Sequence, residues 1–332
     1  MQKLMKNLGT GVLLASLSLS SLPVHGVGLA VSPSAKAATV TAADELLALL
    51  PDADVVAVVD AQRAFTDLLP KLKNISTGGI GKTATEIETF ARLAGVEPKQ
   101  IQTAVLGVKM TETLGRGSGV LLLQGLEVDT KRVADAAKAM NGELSSADQN
   151  GKQLYTLSLK PAANGQAEAM HFVLLDNKRV AVGDLAGLKA VLAGGSKNPA
   201  QAAFVKAIRE TKATGLVRFA GNLPEGLRAL LASQGELFAQ VAAVKAIFGS
   251  FDLNTDNSAS LEARLRTASN NEAALLKENL NGLVALGKVF LDGNGDPKMK
   301  VYSQLLDQVK VSVTTTDVAL SLLLPKEIIG NL

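Results

Sequence analysis

The sequence predicts an α+β fold of two diverged, related halves, each a mostly antiparallel sheet with hairpins covered by helices. Three observations lead there. Short alternating runs recur in pairs across turn residues, the clearest being Ala246–Leu253 and Ala259–Arg266 around Asn254–Asn257. Strands and helices follow one another without the regular spacing of parallel βαβ units. One stretch also occurs twice. Val120, Leu122, Gln124, Leu126 and Val128 alternate, Asp129 takes a cap position, and Val133, Ala136, Ala137 and Met140 fall on one helical face. At an offset of 140 residues, Asp129 meets Ser269, Met140 meets Leu280, and Asn141-Gly142 meets Asn281-Gly282.

In chain order, Thr39–Leu50 is predicted as a short helix stopped by Pro51, and Asp52–Asp60 as a strand buried on both faces. A helix with Phe65, Leu68, Leu69 and Leu72 follows. After the glycine-rich Ser76–Gly81, a second helix carries Ile87, Phe90 and Leu93 and ends at Gly95. Ile101–Met110 is a strand, and the first strand–helix unit then runs to Asn141. Leu154–Leu159 alternates as the next strand, Lys160–Glu168 is a loop, and Met170–Leu175 with Arg179–Val182 forms a hairpin. Helices over Asp184–Leu192 and Asn198–Glu210 close the first half, the second with Asn198 as cap and Pro199 at its first position.

The second half opens with a strand over Gly215–Ala220 and an aliphatic helical stretch from Leu223 to Val244. Its hairpin leads into a long helix that starts at a Ser269-x-x-Glu272 capping box and carries Ala273, Leu276, Leu280, Leu283 and Val284 as its buried stripe. Asp292–Asp296 breaks this helix, and Tyr302–Val309 is predicted helical. A last hairpin holds Val309, Val311 and Val313 against Val318, Leu320 and Leu322, ended by Pro325. The organisation expected is a leader over 1–37, a first half over 38–211 and a second over 212–332.

The leader reading rests on order. Lys3 and Lys6 precede an uncharged apolar run from Leu8 to Leu22, then Ala35-Lys36-Ala37. The run is short for spanning a bilayer and interrupted by serines, so export with cleavage after Ala37 is expected, to the periplasm or cell surface, with no integral span in the mature chain. Removing 1–37 takes three lysines and no acid, which leaves 31 of the 34 cationic residues against 31 acidic ones. A near-neutral chain without a dense Lys/Arg block lacks the field that nucleic acid requires. With no cysteine there is neither a lipid-anchor site nor a disulfide staple, and stability must come from buried apolar area.

Leu50-Pro51-Asp52-Ala53-Asp54-Val55-Val56 followed by Asp60, together with Ala94-Gly95-Val96-Glu97-Pro98-Lys99 and the segment Val309–Pro325, resembles segments of uncharacterised exported bacterial proteins that open with an LPxDAxVVxxVD-like run. The resemblance follows most of the mature chain in order and implies no activity for any residue.

Chemical motifs fare poorly. Ser76–Thr83 ends in Gly81-Lys82-Thr83 like a phosphate loop, but the first glycine is replaced by Ser76 and the segment before it reads as helix. Asp292, Asn294 and Asp296, and likewise Asp252, Asn254 and Asp256, have the spacing of the first calcium ligands of an EF-hand. Both lack the glycine at position six and the glutamate at position twelve, so turn chemistry accounts for them. His25 lies in the leader, which leaves His171 alone among apolar neighbours, without the partners of a triad or a zinc site. Asn74-Ile75-Ser76 matches a glycosylation acceptor, left unmodified in a bacterial compartment. No catalytic, cofactor-binding or metal residue is therefore predicted. The expectation is a non-enzymatic exported binding or structural protein with a protein or apolar-ligand partner of unknown identity and an undetermined oligomeric state. A carrier or sensor of an apolar or lipid ligand is the alternative, and a carboxylate-based hydrolase the third reading.

Overall fold

The computed structural model describes residues 42–68, 92, 94–110, 117–159, 168–223, 225–233, 235–256, 258–293 and 297–326. Helices and antiparallel strands alternate through two compact units, the boundary falling between Val205 and Lys206. The proposed leader, Ser76–Thr83, Asn74-Ile75-Ser76, the helix over Ile87–Leu93 except Arg92, and Asn257, Asn294 and Asp296 lie outside the described residues.

In the first unit a helix over 42–49, α1, precedes β1 (Val55–Asp60). Asp60 then caps a single helical turn, Ala61–Arg63, that widens into a π-turn over Ala64–Leu68. Next come β2 (Thr103–Met110), β3 (Gly117–Gln124), α2 (Thr130–Ala139), β4 (Glu143–Gln149), β5 (Lys152–Leu159), β6 (Glu168–Leu174), β7 (Arg179–Gly183) and α3 (Leu185–Leu192). The boundary falls within α4 (Pro199–Arg209). The strands run in the order β1-β2-β3-β7-β6-β5-β4 with every described pairing antiparallel. The interior strand β2 is buried over six consecutive residues, because helices cover both faces of the sheet there. On one side Val133 and Ala136 of α2 pack with Leu126, Ala104, Phe172 and Val180. On the other, Leu50 beside α1 lies against Gly107, and α3 approaches so closely that a Cβ on Gly187 would meet Val120 at 2.4 Å.

Two sequence expectations change here. β4 is absent from the sequence reading: of its residues Glu-Leu-Ser-Ser-Ala-Asp-Gln only Leu144 is a large apolar side chain packed on the core, as an outermost strand permits, so apolar alternation does not report it. The signal was the turn, since Asn150 (φ 57) and Gly151 (φ 74) are the two-residue connection that matches strand twist, pairing Gln149 with Lys152. Met140 is the C-cap of α2 and 36% exposed, not a core side chain equivalent to Leu280.

The second unit contains β8 (Val217–Gly221), α5 (Glu225–Ser233), α6 (Glu236–Ala242), β9 (Ala246–Leu253), β10 (Ala259–Arg266), α7 (Asn270–Asp292), α8 (Pro297–Asp307), β11 (Val309–Thr314) and β12 (Asp317–Leu324). Its strand order is β11-β12-β10-β9-β8, and the described pairings are antiparallel. Gly235, at φ 103, separates α5 from α6 where one aliphatic stretch was expected. α8 starts at Pro297, five residues before the predicted Tyr302, because proline suits a first helical position. Leu223, Val244, Leu265, Ala273, Leu276 and Val318 form the core. Beside it, Arg266 lies 4.6 Å from the ring centre of Phe248 and donates to both oxygens of Asp317, at 2.8 and 2.9 Å, and to Glu210 at 2.8 Å. These acceptors hold the guanidinium above its already high pKa.

Candidate functional site

The first unit carries a cleft of about 430 Å³ lined by Asp52, Lys109, Ser118, Asp184, Ser196 and Lys197 among others. Its three nearest carboxylates are each engaged by local structure. Asp184 caps α3, accepting from Gly187 N at 2.8 Å and from Gly119 N at 3.1 Å. Asp54 accepts from Lys109 Nζ at 2.7 Å and Met110 N at 2.9 Å, and Ser196 Oγ donates to Asp52. Asp184 thus serves as a helix cap, and Asp54 ties the start of β1 to the end of β2.

The other sequence candidates resolve the same way. His171 lies on β6 opposite Thr156 of β5, its Nδ1 3.0 Å from Thr156 Oγ, beside the stacked rings of Tyr155 and Phe172 at 4.9 Å. In the β9–β10 turn, Asp256 accepts from both the N–H and the hydroxyl of Ser258, at 2.9 and 2.7 Å, while Asn254 donates its amide to Ser258 Oγ at 2.7 Å. The Ser258 hydroxyl, with its backbone N–H, holds the Asp256 carboxyl below the usual carboxylate range. Asp252 faces Lys212 at 3.7 Å. Asn254 and Asp256 close the turn and Asp252 forms an ion pair, and among the described residues no group of three or more His, Cys, Asp or Glu is placed to hold a metal.

The surface feature that demands an account is α7. The expected cap forms at its start, with the return bond shifted by one residue: Ser269 Oγ accepts from Glu272 N at 3.2 Å, and Glu272 reaches back past the cap residue to accept from Ala268 N at 2.9 Å. Ala273 and Leu276 are completely buried, Leu280, Leu283 and Val284 are half-buried, and Gly287 admits Leu306 of α8, whose δ-carbon would lie 3.0 Å from a Cβ there. Lys288 donates to Asp307 and so ties the end of α7 to α8; that bond raises the Lys288 pKa. The predicted stripe is thus the inward face, fully buried only over its first two turns.

The opposite face is apolar as well, and uncovered. Leu275 is 50% exposed, Leu286 69%, Val289 76% and Phe290 70%. From Asn279 to Gly287 the helix carries no charge, and a Cβ on Gly282 would meet nothing within 4 Å. Sequence periodicity registers α7 as apolar around much of its circumference, which usually marks a helix buried on all sides. The spacing picks out the covered stripe; that the second apolar face stays open is seen only in the structure.

No protein-family model matches the chain, and no curated protein is similar to it. The chain is similar to solved structures of TP0453. For crystal form III the TM-score is 0.48 at 9% identity, covering 86% of this chain and 96% of that one. For crystal form I it is 0.45 at 10% identity, covering 87% and 95%. Among the described residues no helix is long and apolar enough to cross a membrane.

Proposed function

We propose that the mature chain is an exported, non-enzymatic binding or structural protein of the periplasm or cell surface, and that it works through the outward face of α7. The observation that carries this reading is the exposure of Leu286, Val289 and Phe290 on consecutive turns of one helix. Water around a contiguous apolar patch is costly, and patches of this kind mark interaction surfaces. The engaged carboxylates of the first unit's cleft and the bond between His171 and Thr156 favour binding over catalysis. Two experiments test the reading. Protein recovered from the periplasm or medium is expected to have the mass of a chain lacking 1–37; a retained Met1 refutes export. The double substitution Leu286→Lys, Phe290→Lys is expected to leave the melt unchanged and remove the native-gel complexes of the wild-type protein. Unchanged complexes refute the assignment of the face.

The alternative, a carrier of an apolar or lipid ligand, draws on the same two-sided apolar helix. It predicts a higher denaturation midpoint in the presence of lipid extract, because a ligand bound only by the native state stabilises it by mass action.

We infer further that the two units are diverged copies. The orders β1-β2-β3-β7-β6 and β8-β9-β10-β12-β11 have the same plan, a hairpin, a helix and a returning hairpin whose last strand pairs with the second strand of the first. β11 begins 141 residues after β6 (Val309 against Glu168), and β12 begins 138 after β7 (Asp317 against Arg179). The β4–β5 hairpin then occupies the interval that the second unit fills with the end of α7 and with α8.

A further inference from the structure

We propose that the occupant of the outward face of α7 is a second copy of this chain, bound as an antiparallel helix pair about a two-fold axis at the level of Val284. The proposal rests on the reading of this face as the binding surface and adds its partner.

Leu275, Asn279, Gly282, Leu286, Val289 and Gly293 succeed one another at intervals of four, three, four, three and four residues. That is the spacing of the seam of a two-helix coiled coil, where side chains of one helix enter gaps in the other, here with glycines as gaps. The seam is symmetric about position 284. A two-fold axis there sets Leu286 of each copy against Gly282 of the other, Leu275 against Gly293, and Asn279 against Val289. Two of these three pairings put a leucine on a glycine, so the large side chain finds the space that its partner's missing Cβ leaves. The gap at Gly282 is open, since a Cβ there would meet nothing within 4 Å. In an isologous interface every such contact is made twice, which doubles the return on one self-complementary patch.

Charge discriminates against a lipid surface. Helices that lie on membranes carry Lys and Arg along the margins of the apolar face, where anionic headgroups attract them. On α7 the charges nearest the outward face are Glu272 and Glu278; Lys277 and Lys288 lie on the opposite side, and Lys288 is bound to Asp307. The acids would be repelled by an anionic bilayer. Asn279, the one polar seam residue, limits the registers available to the pair at a cost in stability, which adds to the weakness of the dimer. Area sets the strength. The four large side chains expose on the order of 400 Å² per copy, about half of the ~800 Å² per partner in a standard interface, so the dimer is a weak, concentration-dependent one.

The test uses the mature protein, whose sequence supplies no competing thiol. Sedimentation over a concentration series is expected to show a monomer–dimer equilibrium, which Leu286→Lys weakens by about tenfold or more, as for an anchor residue at an interface. Leu275→Cys mixed with Gly293→Cys is expected to form a disulfide-linked dimer on mild oxidation, and Leu275→Cys alone is not, since the antiparallel pair places the two copies of position 275 at opposite ends. A thermal melt of each variant confirms an intact fold. A protein monomeric at every concentration, or linkage of Leu275→Cys to itself, overturns the proposal. Co-sedimentation with phosphatidylglycerol vesicles separates the two failures. A monomer that binds vesicles through Leu286 keeps the face and loses the second copy, whereas indifference to Leu286→Lys in both assays loses the face too.

Discussion

Truncating Leu276 to alanine tests the division of α7 into a covered and an open side. Leu276 is completely buried, packed in the core that joins α7 to β10 and β12 through Leu265 and Val318. Burying a leucine contributes about 1.5–3 kcal/mol in transfer alone, and the cavity left in a core that cannot collapse raises the cost of Leu276→Ala to about 2–5 kcal/mol. Leu280, one turn on and half-buried, is expected to cost roughly half as much on the same area argument. Leu286→Ala, 69% exposed, should stay within about 0.5 kcal/mol in the monomer, and Met140→Ala, 36% exposed, below about 1 kcal/mol. The assay is urea denaturation, where a slope of about 2 kcal/mol per M moves the Leu276→Ala midpoint down by about 1 M or more. Two compact units need not unfold together, so Leu188→Ala, completely buried on α3, marks the transition of the first unit. A neutral Leu276→Ala, or a Leu286→Ala as costly as Leu276→Ala, refutes the assignment of the two faces.

Asp317→Asn should destabilise the second unit by about 1–3 kcal/mol, because Arg266 loses an ionised acceptor on both of its donating nitrogens. Arg266→Lys should be destabilising as well, since an ammonium cannot fork across both oxygens of Asp317; urea melts check both. Ser258→Ala should move the Asp256 titration upward, read by carboxyl NMR. The lowered folded-state value means that the contribution of Asp256 to stability is present above its unfolded pKa and disappears as pH falls through the folded one, and Ser258→Ala should reduce that acid sensitivity. Gly249→Ala should be among the costliest single changes, above about 3 kcal/mol, since the new Cβ would lie 2.0 Å from the Glu262 carbonyl oxygen of the paired strand β10; failure to purify folded protein or a large midpoint loss is the expected result.

Much of the local structure follows from neighbouring residues alone. The β9–β10 hairpin has the boundaries that its alternation predicts, and Asp129, Asp184 and Ser269 cap α2, α3 and α7 as their positions require. Caps, turns and alternation are satisfied within a few residues, so the order of amino acids is enough to determine them. Where a strand needs no apolar alternation, as β4 at an outer position, that signal falls silent, and only the Asn150-Gly151 turn remains to mark it. The surface of α7 is a different kind of fact. Leu276 and Leu286 are the same residue on the same helix, ten positions apart; spacing puts Leu276 on the inward stripe and Leu286 off it, but does not say whether another segment covers Leu286. One became core and the other surface because β11, β12, α6 and α8 pack against α7 without covering Leu286, a choice made by segments before and after it in the chain. Burial is a property of the neighbours that arrive, and for that reason it was the tertiary structure that left the second apolar face of α7 open.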